Sequence, residues 1–165
     1  MNWRSKARDI ALCGVMAAML ELGKLALNAI ANVEVVTLLV LLFARHFRWR
    51  VFPAVLVFVG LECLVWGLGP WSLSYLYIWP LLAALGLVFR KQESPLFWAI
   101  LAGFFGLCFG LLCAFNSLLT GGFYYALTWW VSGIPYDLIH GAANFVIALV
   151  LWKPLDRLLT RLAPI

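Results

Sequence analysis

Six apolar runs, each bounded by basic or turn-forming residues, leave this chain few ways to fold. They fall at about 8–27, 34–47, 51–68, 74–90, 95–115 and 131–152. None shows the strict alternation of a half-buried strand, and their lengths suit helices. Pro53, Gly67-Leu68-Gly69-Pro70, Pro95 and Gly121-Gly122 mark the breaks. Pro80 falls inside the fourth run and predicts a kink. Gly122 to Trp130 reads as an aromatic outer connection, helical or partly ordered, leading into the sixth helix. Hydrophobic residues make up 65% of the chain and charged residues 12%, more apolar surface than a soluble domain of 165 residues can hide. The expected fold is an all-α integral membrane protein, a single six-helix domain over 1–165.

The net charge of +5 does not point to nucleic acid, because the basic residues punctuate the apolar runs. Arg4, Lys6 and Arg8 precede the first run, and Arg45, Arg48 and Arg50 separate the second and third. Arg90 and Lys91 separate the fourth and fifth, and Lys153, Arg157 and Arg161 follow the sixth. With six crossings, all of these lie on one side, and Lys24 alone lies on the other. The positive-inside rule then places both termini in the cytoplasm and the protein in the cell membrane. Ala29-Ile30-Ala31 resembles a signal-peptidase site, but Glu21 and Lys24 interrupt the run before it, so the first helix reads as retained. Cys13, Cys63, Cys108 and Cys113 lie inside apolar runs without a C-x-x-C pair and read as buried free thiols.

The loop arginines supply a ruler. At 1.5 Å per helical residue, Glu34 lies roughly 16 Å above Arg45 and Glu62 roughly 18 Å above Arg50. Glu21 lies roughly 20 Å above Arg8, and Asp137 roughly 24 Å above Lys153. In a hydrocarbon core about 30 Å thick, these four acids share one slab between the midplane and the outer surface. Charges at that depth face a bundle interior or a watery cavity. The segment Asn28-Ala29-Ile30-Ala31-Asn32 reads as irregular backbone, which at such depth must be buried in protein or line a cavity. A polar pocket open to the outside follows, with Asn32 as the expected N-cap of a short second helix and Glu34 in its first turn. Glu21 and Lys24, three residues apart, are placed to neutralise each other; Lys24 is also a candidate partner for Glu34 and Glu62.

The sixth run carries Asp137, His140, Gly141 and Asn144 on one helical stripe. No second His or Cys stands at ligand spacing, so no metal site is expected. Trp66, Trp71, Tyr75, Trp129 and Trp130 belong to an excess of outer aromatics that suits a pocket lined by flat π faces, beyond the usual interfacial belt. The candidate substrate-binding residues are therefore Glu34, Glu62, Trp66, Trp71, Tyr75, Trp129, Trp130, Asp137, His140 and Asn144. Ala7, Ala11, Gly14 and Ala18 form a small-residue stripe on the first helix where a partner helix could dock; Gly103, Gly106, Gly110 and Ala114 do the same on the fifth.

Four stretches together resemble the S components of energy-coupling factor (ECF) transporters: "RDIALCGVMAAML", "IANVEVVTLL", "GLECLVWGLGPWSLSYLYIW" and "GIPYDLIHGAANFVIALVLWKPL". The resemblance covers nearly the whole chain. It implies a six-helix vitamin-binding subunit with both termini inside, working with a membrane scaffold subunit and two ATPase subunits. It implies that Ala7 and Ala11 contact the scaffold, although the next position, Val15, is not small. It also implies that the subunit topples in the membrane to release its vitamin inward. No phosphate-binding loop is present, so this chain is expected to be neither an ATPase nor otherwise an enzyme, and to carry no cofactor. Carboxylates beside aromatic faces suit a flat nitrogen heterocycle with donor edges, such as a queuosine precursor or a thiamine-like compound. Cobalamin, whose amides would also use Asn, Asp and Trp and whose cobalt could take Cys63, is the competing substrate. A membrane enzyme using Asp137 and His140, and a purely structural membrane protein, are the alternatives of other classes.

Overall fold

The computed structural model describes residues 3–162, with side chains from Lys6 onward. The side chain of Arg4 therefore lies outside the described residues. Five helices follow one another: α1 (Trp3–Leu27), α2 (Val36–Phe47), α3 (Val51–Trp66), α4 (Pro70–Val88) and α5 (Pro95–Leu162). A short 3-10 turn, Arg48–Arg50, joins α2 to α3. No strand occurs among the described residues. Four stretches are long and apolar enough to cross a membrane: Lys6–Leu27, Val36–Trp66, Pro70–Val88 and Pro95–Leu162.

The expected fifth and sixth helices are the two arms of α5, which meet at a kink with no irregular loop between them. The single non-helical residue of α5 is Gly122, with φ +78° and ψ −178°. That left-handed φ costs glycine little and a side-chain-bearing residue much more. Here the chain turns back on itself. Gly103 lies against Phe145, Gly106 against Gly141 and Gly110 against Asp137. These three pairs are centred on about residue 124, as they must be for an antiparallel hairpin hinged beside Gly122. The aromatic stretch 123–130 takes the helical form of the two expected for it, with Ala126 buried.

The core is built around α2. It packs on α1, α3, α4 and α5, and Leu38, Val40, Leu41, Leu42 and Phe43 are fully buried. A 12-residue helix packed on all sides needs no polar face, which explains its apolar run from Leu38 to Ala44 between Thr37 and Arg45. Met16, Ala17 and Leu20 of α1, Val55 and Phe58 of α3, and Ile78 and Leu82 of α4 close around it. The outward faces are apolar as well: Ile10, Phe104, Leu119 and Val150 are all more than 60% exposed. Apolar residues inside and outside together are what a bilayer permits and water does not.

Local chemistry sets two helix starts. Pro70 opens α4 where its missing N–H is harmless, and the Gly69 N–H donates to Ser72 Oγ at 3.1 Å. The backbone stays helical through Pro80 as far as Val88. At α2, Asn32 does not cap the helix as expected. The helix begins later, at Val36, and Asn32 instead takes a left-handed turn conformation with φ 58°. Asparagine tolerates that conformation better than most residues. The N-cap position is Val35, and Glu34, expected in the first turn, lies just before it, where its carboxylate accepts the Thr37 N–H in place of a capping side chain.

Candidate functional site

The irregular wall expected over Asn28 to Asn32 is present and extends to Val35. Turn bonds from Ile30 N–H to Leu27 O (2.9 Å) and from Val33 N–H to Ile30 O (3.2 Å) hold it between α1 and α2. It closes a cavity of about 190 Å³ lined also by Lys24 of α1, Tyr75 and Trp79 of α4, and Phe109 and His140 of α5.

Glu34 anchors the wall to the bundle. Its Oε2 accepts the Thr37 backbone N–H at 2.8 Å, satisfying one of the free donors at the start of α2. Its Oε1 lies 3.2 Å from His140 Nε2 on α5. Asn144, one turn beyond His140, donates from Nδ2 to Thr37 Oγ1 at 3.1 Å. The acid, the imidazole and the amide thus join the first turn of α2 to one stripe of α5. Asn144 is buried beneath the site rather than lining the cavity, and its Oδ1 has no protein partner.

Lys24 sits on the opposite side of the cavity. It pairs with Glu62 of α3, not with Glu21 as the local spacing suggests. Its ammonium also lies 5.2 Å from the centre of the Tyr75 ring, within cation–π range. Glu62 is fully buried and supports the site through Lys24 without lining the cavity. Both oxygens of Glu21 are buried without a hydrogen-bond partner.

Tyr75 packs edge-to-face with Trp71 (5.1 Å between ring centres) and with Trp79 (5.5 Å). Phe109 lies 5.8 Å from Trp79 and 4.9 Å from the His140 ring. Tyr75, Trp79 and Phe109 form the aromatic wall, with Trp71 behind Tyr75. The buried Trp79 Nε1–H has no protein acceptor.

A second chamber, of about 340 Å³, adjoins the first and shares Asn32 and Phe109 with it. Asp137 and Trp129 line this one. Trp130 belongs to neither: it lines an apolar groove with Tyr77 and Phe115. Trp66 ends α3 half-exposed and lines neither chamber. The sequence reading counts Trp79 among the outer aromatics but not among the candidate residues, leaves out Phe109 and Thr37, and takes Lys24 only as a partner for the acids. Phe109 sits in a continuous apolar run with nothing local to distinguish it, whereas Lys24 is visible as the one cation away from the loops.

Of the proposed docking stripe on α1, Ala7, Ala11, Gly14 and Ala18 are all exposed. A Cβ built on Gly14 meets no atom within 4 Å. The stripe on α5 is different: Gly103, Gly106 and Gly110 are used within the chain, against the second half of the hairpin. All four cysteines are free, as expected, but each is half-buried rather than buried, because the outward faces of these helices are apolar too. No group of three metal-ligating side chains occurs among the described residues.

These features define a class: an all-helical protein with membrane-length apolar helices and a small, half-open chamber among them where charged and aromatic side chains meet. No family model, curated protein or solved structure matches the chain.

Proposed function

We propose that this protein is the substrate-binding subunit of an ECF-type vitamin transporter. In this reading the chain crosses the cell membrane six times, α2, α3 and the two arms of α5 each crossing separately, with both termini in the cytoplasm. It captures a flat nitrogen heterocycle from outside and passes it inward by toppling against a scaffold subunit that carries two ATPases. The exposed stripe of Ala7, Ala11, Gly14 and Ala18 is the face offered to that scaffold. The chain itself is not an enzyme in this reading.

One observation carries the proposal: a cavity of about 190 Å³ in which the Glu34 carboxylate, the Lys24 ammonium and the His140 imidazole meet the aromatic wall of Tyr75, Trp79 and Phe109. A carboxylate accepts paired N–H donors from an amidine-like ring edge, and ring faces stack on the heterocycle. Ligand pockets for drug-sized molecules run from about 300 to 1,000 Å³, so this one suits a single small ring system. That favours a queuosine precursor or the pyrimidine end of a thiamine-like compound over cobalamin, which is far larger. Cys63, the candidate cobalt ligand, does not line the cavity.

Native mass spectrometry of freshly purified protein tests the ligand, with a retained nitrogen heterocycle as the expected mass. Co-purification tests the partner. A tagged chain that never associates with an ATPase-bearing scaffold in its own membrane overturns the transporter reading. Turnover by the chain purified alone would instead support an enzyme.

A further inference from the structure

The chamber around Glu34 accounts for Lys24 and, through it, for Glu62, but leaves Glu21 without a task. Glu21 lies in the membrane-length part of α1 and is 7% exposed. Both of its carboxylate oxygens are buried, and neither has a hydrogen-bond partner. Ala17 and Leu20, beside it on α1, are fully buried and apolar. Lys24 pairs with Glu62 across 38 residues, a register that sets Glu21 level with Val59 of α3, also buried and apolar. An ionised carboxylate in such a place, with no donor on either oxygen, costs far more than the neutral acid.

The ammonium that would neutralise Glu21 is already taken. Lys24 follows three residues later, where side chains on one helix meet, yet it is bound to Glu62. Few other ionisable groups stand near this end of α1. On α3 they are Glu62 and Cys63. Ahead of α2 is Glu34, held by Thr37 and His140, and across the chamber Tyr75 of α4 faces Lys24. Among these described residues Lys24 is the one ammonium or guanidinium. Glu21 and Glu62 therefore compete for a single cation, and the acid without it needs a proton.

We infer that Glu21 is a proton-binding site and the vacant second seat of Lys24. In the arrangement seen, the ammonium sits on Glu62 and Glu21 holds the proton. In the exchanged arrangement the ammonium turns back to Glu21 and the proton passes to Glu62. Either form contains one ammonium, one carboxylate and one carboxylic acid, so charge and protons balance. Lys24 lines the chamber and lies against the Tyr75 ring, so the exchange withdraws a positive charge from the chamber wall. A cation entering the chamber favours the exchanged form, and an anion favours the form seen. The inference rests on the geometry of α1 and α3 and not on the ligand proposed above.

Infrared difference spectroscopy of the purified full-length protein, in a detergent without ester groups, tests it. Exposed carboxyl groups are ionised at pH 7, so a carboxylic C=O stretch at that pH marks a buried neutral acid. Glu21→Gln is expected to remove one such band from the wild-type spectrum. Glu62→Gln is expected to remove the same band although Glu21 is still present, because Lys24 then turns to Glu21 and ionises it. Glu62→Leu gives the same readout if Glu62→Gln does not fold. Glu93→Gln, at an exposed acid, is expected to leave the carboxylic region unchanged. A Glu21→Gln spectrum that loses no carboxylic band shows Glu21 ionised in the wild-type protein and overturns the proton site. A band that survives in the folded Glu62 variant shows that Lys24 does not move to Glu21 and overturns the second seat, and the inference with it.

Discussion

Glu34 Oε1 lies 3.2 Å from His140 Nε2 although 106 residues separate them in sequence. The same carboxylate caps α2 through the Thr37 N–H. One side chain therefore fixes where a buried helix begins and which face of α5 it meets. Placing this bond on a cavity-lining acid ties the shape of the cavity to the integrity of the helix start.

That dual role gives Glu34→Gln and Glu34→Ala different outcomes. Glutamine keeps an oxygen to accept the Thr37 N–H but loses the charge that favours the N-terminal end of the helix. Stability is expected to fall by at most about 1 kcal/mol, with ligand affinity reduced tenfold or more. Alanine removes the cap as well and is expected to cost about 1–2 kcal/mol. Chemical unfolding in detergent and ligand titration on the same preparations separate the two effects. An alanine variant as stable as wild type would remove the capping role.

Lys24 and Glu62 test how the site is supported. Glu62 is fully buried, and Lys24 is its partner across α1 and α3. Lys24→Met leaves an uncompensated buried carboxylate and is expected to destabilise by about 3–5 kcal/mol. Adding Glu62→Leu removes that carboxylate and is expected to recover most of the loss. A double-mutant cycle by denaturant unfolding reads the coupling directly. Additive losses would mean that the pair contributes nothing as a pair.

This pair also marks the limit of what the sequence disclosed. The depth of the acids could be counted from the loop arginines, and the spacing of Asp137, His140 and Asn144 placed them on one stripe. Those inferences needed only helical geometry. Choosing Glu62 rather than Glu21 for Lys24 needed the rotation of α1 against α3, which no local pattern encodes. The same applies to the aromatics: Trp66 and Trp79 both lie in apolar stretches, yet helix rotation leaves one half-exposed and buries the other against the cavity. The hinge at Gly122 is visible as a Gly-Gly break, but composition alone does not decide between a helical and a partly ordered form for the aromatics after it.

At the other end of the bundle, Asp156 gathers three segments. Arg45 Nε donates to its Oδ1 at 2.9 Å, and His46 Nε2 lies 2.8 Å from the same oxygen. Arg45 Nη1 also donates to the Arg90 carbonyl at 2.6 Å in the connection between α4 and α5. Asp156→Ala leaves a buried imidazole without its partner and is expected to cost about 1–3 kcal/mol. Glu93→Ala, an exposed acid in the nearby connection, is expected to stay within about 0.5 kcal/mol of wild type. Thermal unfolding of both variants in one detergent makes the comparison, and equal shifts would show that the Asp156 cluster is not a structural tie.

The two glycine stripes should respond oppositely to the same substitution. A Cβ on Gly106 would sit 2.9 Å from the Cα and N of Gly141, and these are backbone atoms that cannot rotate aside. Gly106→Ala therefore forces the arms of α5 apart and is expected to destabilise by about 1–3 kcal/mol, despite the higher helix propensity of alanine. Gly14 has open space where its Cβ would lie. Gly14→Ala gains helix propensity without a clash and is expected to stabilise the isolated chain by up to about 1 kcal/mol. Denaturant unfolding of the two variants gives the sign of each change. Bulkier Gly14→Leu separates folding from association: the isolated chain is expected to remain folded while capture of an ATPase-bearing scaffold falls. Undiminished capture by folded Gly14→Leu protein would remove Gly14 from the docking face.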